Sequence, residues 1–198
     1  MLRIVGGEFG GRRIPAPEGR ETRPTSEKVR AAIFNVLHHR LEWAGLTVLD
    51  LFAGSGALGI EALSRGAARA VFVESHARTA AMIRGTLREL GLPPVRAEVV
   101  TARVEAWLAK AALPEPAGLV LLDPPYEYPG IGDVLSAVAE SPAIAHGAMV
   151  VLETGREFPA HWPAALESLE PKRYGDTQVH YLTKRALPAP ATPPEKAP

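Results

Sequence analysis

Two short segments, about seventy residues apart, hold the residues best suited to chemistry. Asp50-Leu51-Phe52-Ala53-Gly54-Ser55-Gly56 closes an apolar run with a carboxylate and a glycine loop. Asp123-Pro124-Pro125-Tyr126 closes another with a carboxylate, two prolines and an aromatic ring. The first arrangement suits a nucleotide-bearing cofactor. The second suits a planar amino group.

Gly54-Ser55-Gly56-Ala57-Leu58-Gly59 is a literal G-x-G-x-x-G between an expected strand and an expected helix, with Glu74 about twenty positions later. Dinucleotide sites share this pattern, and there the helix N-terminus receives a pyrophosphate. Asp50, at the strand end, would repel a pyrophosphate but suits the ammonium and sulfonium of S-adenosylmethionine (SAM). SAM is therefore the expected cofactor. Its expected contacts are Asp50, Phe52, Ala53, Gly54, Ser55 and Gly56 in the loop, Glu74 on the ribose hydroxyls with Ser75 beside it, and Arg103 and Val104 after the third strand. The plainer reading, a tight strand–helix turn without a ligand, leaves both strand-end carboxylates unexplained.

After the strand at 118–122, Pro124 and Pro125 cannot donate backbone hydrogen bonds or continue a sheet, so they fix a stiff, extended loop. The Asp123 carboxylate and the Pro124 carbonyl are two acceptors for the two N–H bonds of an exocyclic amine. Tyr126 offers a ring for base stacking. Holding both hydrogens aims the nitrogen lone pair at a methyl donor, so Asp123, Pro124 and Tyr126 are the candidate catalytic residues.

These loops need a scaffold. Apolar runs at 47–52, 70–74, 95–100, 118–122 and 148–153 alternate with helical stretches at about 57–65, 77–90, 103–111 and 131–140. That alternation implies parallel strands covered on both faces, an α/β fold. Residues 165–171 and 177–184 are expected to be closing strands joined by a turn at 173–176. A glycine-punctuated hairpin is expected over 2–14, then a loop to Pro24, then a helix capped by Thr25 or Ser26, with Val29, Ile33, Val36 and Leu37 on its apolar stripe. Residues 187–198 hold five prolines and are expected to be disordered.

Net charge is zero, but residues 1–40 hold eight Lys/Arg against four Glu, which leaves +4 there and −4 in the rest. A basic arm on an acidic body suggests a polyanionic partner; a merely solvated segment is the alternative. Arg12, Arg13, Arg23, Thr25, Lys28 and Arg30 are the candidate contacts to such a polyanion. Arg23, Thr25 and Arg30 are placed beside the passage to the cofactor. The absence of cysteine excludes disulfides and thiolate chemistry and fits a reducing cytoplasm. No apolar run is long enough to span a membrane. His38-His39 has no further ligands at metal spacing, so no metal is expected. Trp107 and Phe72 read as packing residues.

The chain resembles the bacterial 16S ribosomal RNA guanine-N2 methyltransferases of the RsmD type over nearly all of residues 2–185. The resemblance rests on Gly6-Gly7 with Gly11-Arg12, Arg23-Pro24-Thr25 with Val29-Arg30 and Phe34-Asn35, residues 50–56, the run Leu58-Gly59-Ile60-Glu61-Ala62-Leu63-Ser64-Arg65-Gly66-Ala67, and residues 123–126. It implies a class I SAM-dependent methyltransferase, with a Rossmann-like sheet of seven mostly parallel strands and helices on both faces. An RNA-binding extension over 1–42 would precede the methyltransferase domain at 43–185 and a tail at 186–198. It further implies a cytoplasmic monomer acting on one guanine of 16S rRNA in the helix 31 loop of the assembled or assembling small subunit. One departure stands out. Arg103 occupies the place where many class I enzymes carry an Asp or Asn for the adenine amino group, which leaves backbone groups around 102–104 to hold it.

Three other functions compete. A DNA or RNA adenine-N6 methyltransferase would share the clamp, although the DNA enzymes carry a recognition insert for which no inter-strand gap is long enough. An NAD-dependent oxidoreductase is disfavoured by Asp50. A non-enzymatic RNA assembly factor is disfavoured by the intact acceptor pair at Asp123 and Pro124.

Overall fold

A computed structural model describes residues 1–17, 26–125, 128–159 and 161–186. Tyr126, Arg23 and Thr25, and the tail at 187–198, lie outside the described residues.

The chain opens with a two-stranded antiparallel hairpin, β1 (Leu2–Arg3) and β2 (Arg13–Ile14), in register Leu2↔Ile14. Helix α1 (Glu27–His38) follows, and Ser26 Oγ accepts the Val29 N–H at 3.2 Å as its N-cap. Then come β3 (Thr47–Leu51), α2 (Ala57–Ser64), β4 (Arg69–Glu74), α3 (Ala77–Glu89), β5 (Ala97–Thr101), α4 (Val104–Leu108), β6 (Ala117–Leu122), α5 (Ile131–Glu140) and β7 (Ile144–Gly155). β8 (Leu166–Ser168), β9 (Lys172–Tyr174) and β10 (Thr177–Lys184) complete the chain.

The main sheet runs β5-β4-β3-β6-β7-β10-β8, parallel from β5 to β7. β10 lies antiparallel to both β7 and β8, and β9 pairs with β10 as an eighth strand. The expected count was seven, with a turn at 173–176. β9 takes the first half of that turn, because Thr177↔Tyr174 pairing closes a tight hairpin about Gly175 (φ +64°).

Alternation along the strands separates two apolar cores. Val48, Ala70, Phe72, Leu119, Leu121 and Val151 face α1, α2 and α3. Leu49, Leu51, Val71, Val73, Val120 and Leu122 face α4 and α5. The arm shares the first core, since Ile4, Phe9 and Ile14 are buried with Ile33, Phe34 and Leu37. Chain order reverses between β3 and β6, which lie side by side while the chain crosses to the other half of the sheet. That switch point opens the crevice at the strand ends where open α/β sheets bind ligands.

Candidate active site at the strand ends

The pleat places one carboxylate on each of the four strands β4, β3, β6 and β7, all on the α1–α3 face. Asp50 pairs with Phe72 and Leu121, so Glu74 and Asp123 stand one pleat further out on the flanking strands. Leu122↔Leu152 is the last β6–β7 pair, so Asp123 and Glu153 follow at the same level. This alignment comes from a period-2 strand pattern held in strict register.

At the end of β3 the backbone turns sharply. Phe52 (φ 62°), Gly54 (φ 56°) and Gly56 (φ 75°) all adopt left-handed conformations, and Gly56 caps α2. For Phe52 that conformation is sparsely populated, a form of strain typical of ligand sites. Glu74 holds the loop from below: one carboxylate oxygen accepts the Gly54 N–H at 2.9 Å, the other the His76 N–H at 2.8 Å. Asp50 accepts the Gly59 N–H at 2.8 Å, tying the strand end to the first turn of α2. A Cβ on Gly59 would come within 2.4 Å of the Phe72 ring, so glycine is required there for packing.

Asp50 is more enclosed than its place at a strand end suggests. Its side chain is buried beneath the loop and borders neither of the cavities described below. Burial pushes its carboxyl well above the ordinary range; the Gly59 N–H opposes that rise, while Asp123 and Glu74 add to it. Through its bond with the Gly59 N–H it fixes the loop against the helix. Ala53, Gly54, Ser55 and Gly56 shape the turn without lining either cavity, whereas Phe52 does line one.

That first cavity lies over the ends of β4 and β5, between Phe52, Glu74, Ser75, His76, Val104 and Tyr128. Arg103 and Glu105 border it as well. The Tyr128 hydroxyl donates to Glu105 Oε1, Arg103 Nη2 lies 3.5 Å from that hydroxyl, and the Tyr128 ring meets Phe52 edge-on at 5.0 Å. Glu105 Oε2 is buried without a hydrogen-bond partner, 3.6 Å from Arg103 Nε. The Ala102 N–H is committed to the Glu74 carbonyl at 3.1 Å. The residues fit a nucleoside. A buried carboxylate retains acceptor capacity beside backbone N–H groups, apolar walls flank it, and one buried acceptor oxygen is unused. Glu74 is placed for ribose hydroxyls and the cleft between Phe52 and Val104 for a flat ring.

A second cavity adjoins the first and shares Pro125 and Tyr128 with it. Asp123, Pro124, Glu153, Thr154, Ile131 and Phe158 complete most of its wall. Behind it, Thr154 Oγ1 lies 3.0 Å from His180 Nε2, and the His180 ring packs against Phe158 and Trp162. Burial lowers the His180 pKa and so favours the neutral ring. Sequence reasoning placed Asp123 and Pro124 here but missed Tyr128, Glu105, Glu153 and Phe158. Tyr128, two residues past the diproline motif, was the legible signal. The others depend on loops meeting in space.

Arg12, Arg13 and Lys28 are exposed, as phosphate contacts require. Arg30 is not, and this corrects the sequence reading. It is 1% exposed, its guanidinium donates to the Arg3 carbonyl, and its Nε lies 3.8 Å from Glu61 Oε2. Burial lowers its pKa, offset by Glu61, Glu27 and Glu153. Glu61, fully buried on α2, also accepts the Val5 N–H at 2.7 Å, the Gly6 N–H at 2.9 Å and Arg65 Nε at 2.8 Å. Ser64 Oγ accepts from Phe9 N at 2.9 Å and donates to the Gly6 carbonyl at 2.5 Å. A Cβ on Gly7 would fall 1.9 Å from the Ser64 carbonyl oxygen, so the arm lies flush on α2 only as glycine.

No helix among the described residues is long and apolar enough to cross a membrane, and no three His, Asp or Glu among them are grouped to hold a metal. The Conserved hypothetical protein 95 family model matches residues 2–183. The Bacillus subtilis (strain 168) protein YlbH is 35% identical over 188 residues, 93% of this chain and all of the relative. Ribosomal RNA small subunit methyltransferase D of Escherichia coli K12 is 33% identical over 167 residues, 82% of this chain and 81% of the relative. Among solved structures, the E. coli protein yhhF superposes with a TM-score of 0.82 at 30% identity, covering 94% of this chain and 99% of that one. A more distant Pyrococcus horikoshii structure, at 16% identity and a TM-score of 0.62, shares the fold. The sheet is that of a class I SAM-dependent methyltransferase, and the chain belongs to the Conserved hypothetical protein 95 family, the RsmD-type rRNA methyltransferases.

Proposed function

We propose that the chain transfers a methyl group from SAM to the exocyclic N2 of one guanine in small-subunit rRNA, in the helix 31 loop of an assembled or assembling subunit. The observation that carries this reading is the position of Asp123-Pro124-Pro125. Asp123 and Pro124 line the second cavity beside Pro125, which both cavities share, and Asp123 stands level with Glu74 across β3. Relatives named ribosomal RNA small subunit methyltransferase D support RNA as the acceptor.

SAM supplies an electrophilic methyl on a sulfonium when bound. Glu74 and the Phe52–Val104 cleft hold the nucleoside end, with Ser75 and Arg103 at its rim. In the adjoining cavity the Asp123 carboxylate and the Pro124 carbonyl accept the two N–H bonds of the guanine amine. That pairing turns the nitrogen lone pair toward the first cavity. The nitrogen becomes acidic only once alkylated, so Asp123 then accepts a proton without needing raised basicity. Positioning provides most of the acceleration. Tyr126 is the proposed stacking ring. Arg12, Arg13 and Lys28, with Arg23 and Thr25, carry the RNA backbone on an extension over residues 1–42.

The test is methyl transfer from labelled SAM to unmodified small subunits, free 16S rRNA and DNA, with the modified nucleoside identified. N2-methylguanosine in rRNA is expected. N6-methyladenosine, or label in DNA alone, refutes the proposal.

A further inference from the structure

Glu153 has no part in the reading above, yet it shares the acceptor cavity with Asp123 at the same sheet level. Adjacent strands lie about 5 Å apart, so the two carboxylates occupy neighbouring lanes. Strand parity puts both on the α1 face, where Glu153 is partly exposed and where its charge also helps to offset the burial of Arg30. The next residue, Thr154, is fixed through His180, and Val179 pairs with Glu153 on the far side. The strand end is therefore held on both flanks.

A guanine that offers its 2-amino group to Asp123 and Pro124 also presents N1–H, immediately beside that amine. We propose that Glu153 accepts N1–H and is the residue that selects guanine at this site. This rests on guanine N2 being the acceptor. The carboxylate has only lone pairs to offer, so it rewards a base whose N1 is a donor and repels one whose N1 is an acceptor. Adenine, with a lone pair at N1, is rejected by the same group that holds guanine. Asp123 alone makes no such distinction, since any exocyclic amine satisfies it. A site built to receive a hydrogen bond discriminates strongly against an analogue that lacks the donor.

An analogue that removes this contact, together with the 6-oxo group, is 2-aminopurine. It keeps the 2-amino group but carries a lone pair at N1. Small subunits are reconstituted with rRNA bearing guanine or 2-aminopurine at the methylated position. kcat/KM is measured for the full-length wild type and for Glu153→Gln, with SAM affinity as the check on folding. The wild type should favour guanine by at least about tenfold. Glu153→Gln presents an amide N–H to the N1 lone pair, so its guanine rate should fall about tenfold or more while its 2-aminopurine rate rises. The selectivity ratio then collapses. Glu153→Asp, which keeps the charge, should retain the guanine preference at reduced rate. An equal loss on both bases in Glu153→Gln would show that Glu153 only supports Arg30, and it overturns the inference. So does an unchanged ratio at unchanged rates. If the wild type yields no N2-methylguanosine, the guanine-N2 reading itself fails, and that result is visible before any variant is compared.

Discussion

Replacing Glu61 with alanine tests how firmly the arm belongs to the methyltransferase body. Glu61 is fully buried and accepts from three donors, the Val5 and Gly6 N–H groups and Arg65, with the Arg30 guanidinium 3.8 Å away. Arg30 is as buried as its partner, and removing one member of a buried pair typically costs about 3–5 kcal/mol. The lower end applies, because Glu27 and Glu153 still offset the Arg30 charge. Each backbone N–H left without its carboxylate adds about 1 kcal/mol; water can reach both groups, since neither residue is fully buried. Arg65 adds little, being free to turn to solvent. The sum is about 5 kcal/mol, a large share of the roughly 5–15 kcal/mol that stabilises a typical domain. At about 2–4 °C per kcal/mol for a chain of this size, the midpoint should fall by roughly 10–20 °C. Urea unfolding with a common m-value measures the difference. The double variant Arg30→Met/Glu61→Leu should recover much of the loss, because apolar replacement of a buried pair is often neutral. A loss below about 2 kcal/mol in Glu61→Ala, with no recovery in the double variant, would refute the clamp.

Glu74→Ala should weaken SAM binding in calorimetry, since the ribose acceptor and the Gly54 tether go together; unchanged affinity would remove Glu74 from the site. Asp123→Ala should abolish turnover while largely sparing SAM affinity, and near-normal turnover would defeat the clamp chemistry. The Arg12→Ala/Arg13→Ala pair should weaken binding to small subunits and flatten its salt dependence, with SAM affinity unaffected; an unaltered salt slope would discharge the arm from RNA binding. Asp50 loses its proton near pH 3.8 in the unfolded chain but only at higher pH when folded. The folded state therefore binds the extra proton in between, and stability falls as pH rises through that window. Asp50→Asn keeps an acceptor for Gly59 and should flatten this fall between pH 4 and 7 in urea titrations; parallel curves would argue against a raised Asp50.

The scaffold was legible because strand parity and helix spacing are local. β3, β4, β6, α2, α3 and α5 lie within a few residues of where apolar runs and glycine breaks place them, and Ser26 caps α1 as its type suggests. β9 escaped notice, since three residues with two basic side chains leave no alternation to read. Charge misled at Arg30, because sequence alone does not reveal burial. Arg30 stands at helical spacing from Ile33, Phe34 and Leu37, on the buried stripe itself, a sign that its charge was to be paired inside. Glu61 lies in a helix buried on every side, and there a lone carboxylate signals a partner from elsewhere in the chain. Tyr128, Glu105 and Glu153 converge only after the crossover at the switch point, a long-range event with no local pattern.

Helix α2 joins two grips. Its first turn stems from the cofactor loop, and its last turn, through Glu61, Ser64 and Arg65, is bolted to the hairpin that carries Arg12 and Arg13. Eight helical residues rise about 12 Å, and a helix buried along its whole length neither stretches nor swings. On the proposed function it is a gauge block between the residues proposed to hold phosphates and the proposed place of methyl transfer. On that reading, an RNA is accepted only if its target base and its gripped backbone stand at the spacing this block sets. A flexible strand must lose entropy to reach that spacing, whereas a loop locked into a folded ribosomal particle presents it ready-made. Recognition of a particle rather than of a short sequence is then, on the proposed function, built into the length of a two-turn helix.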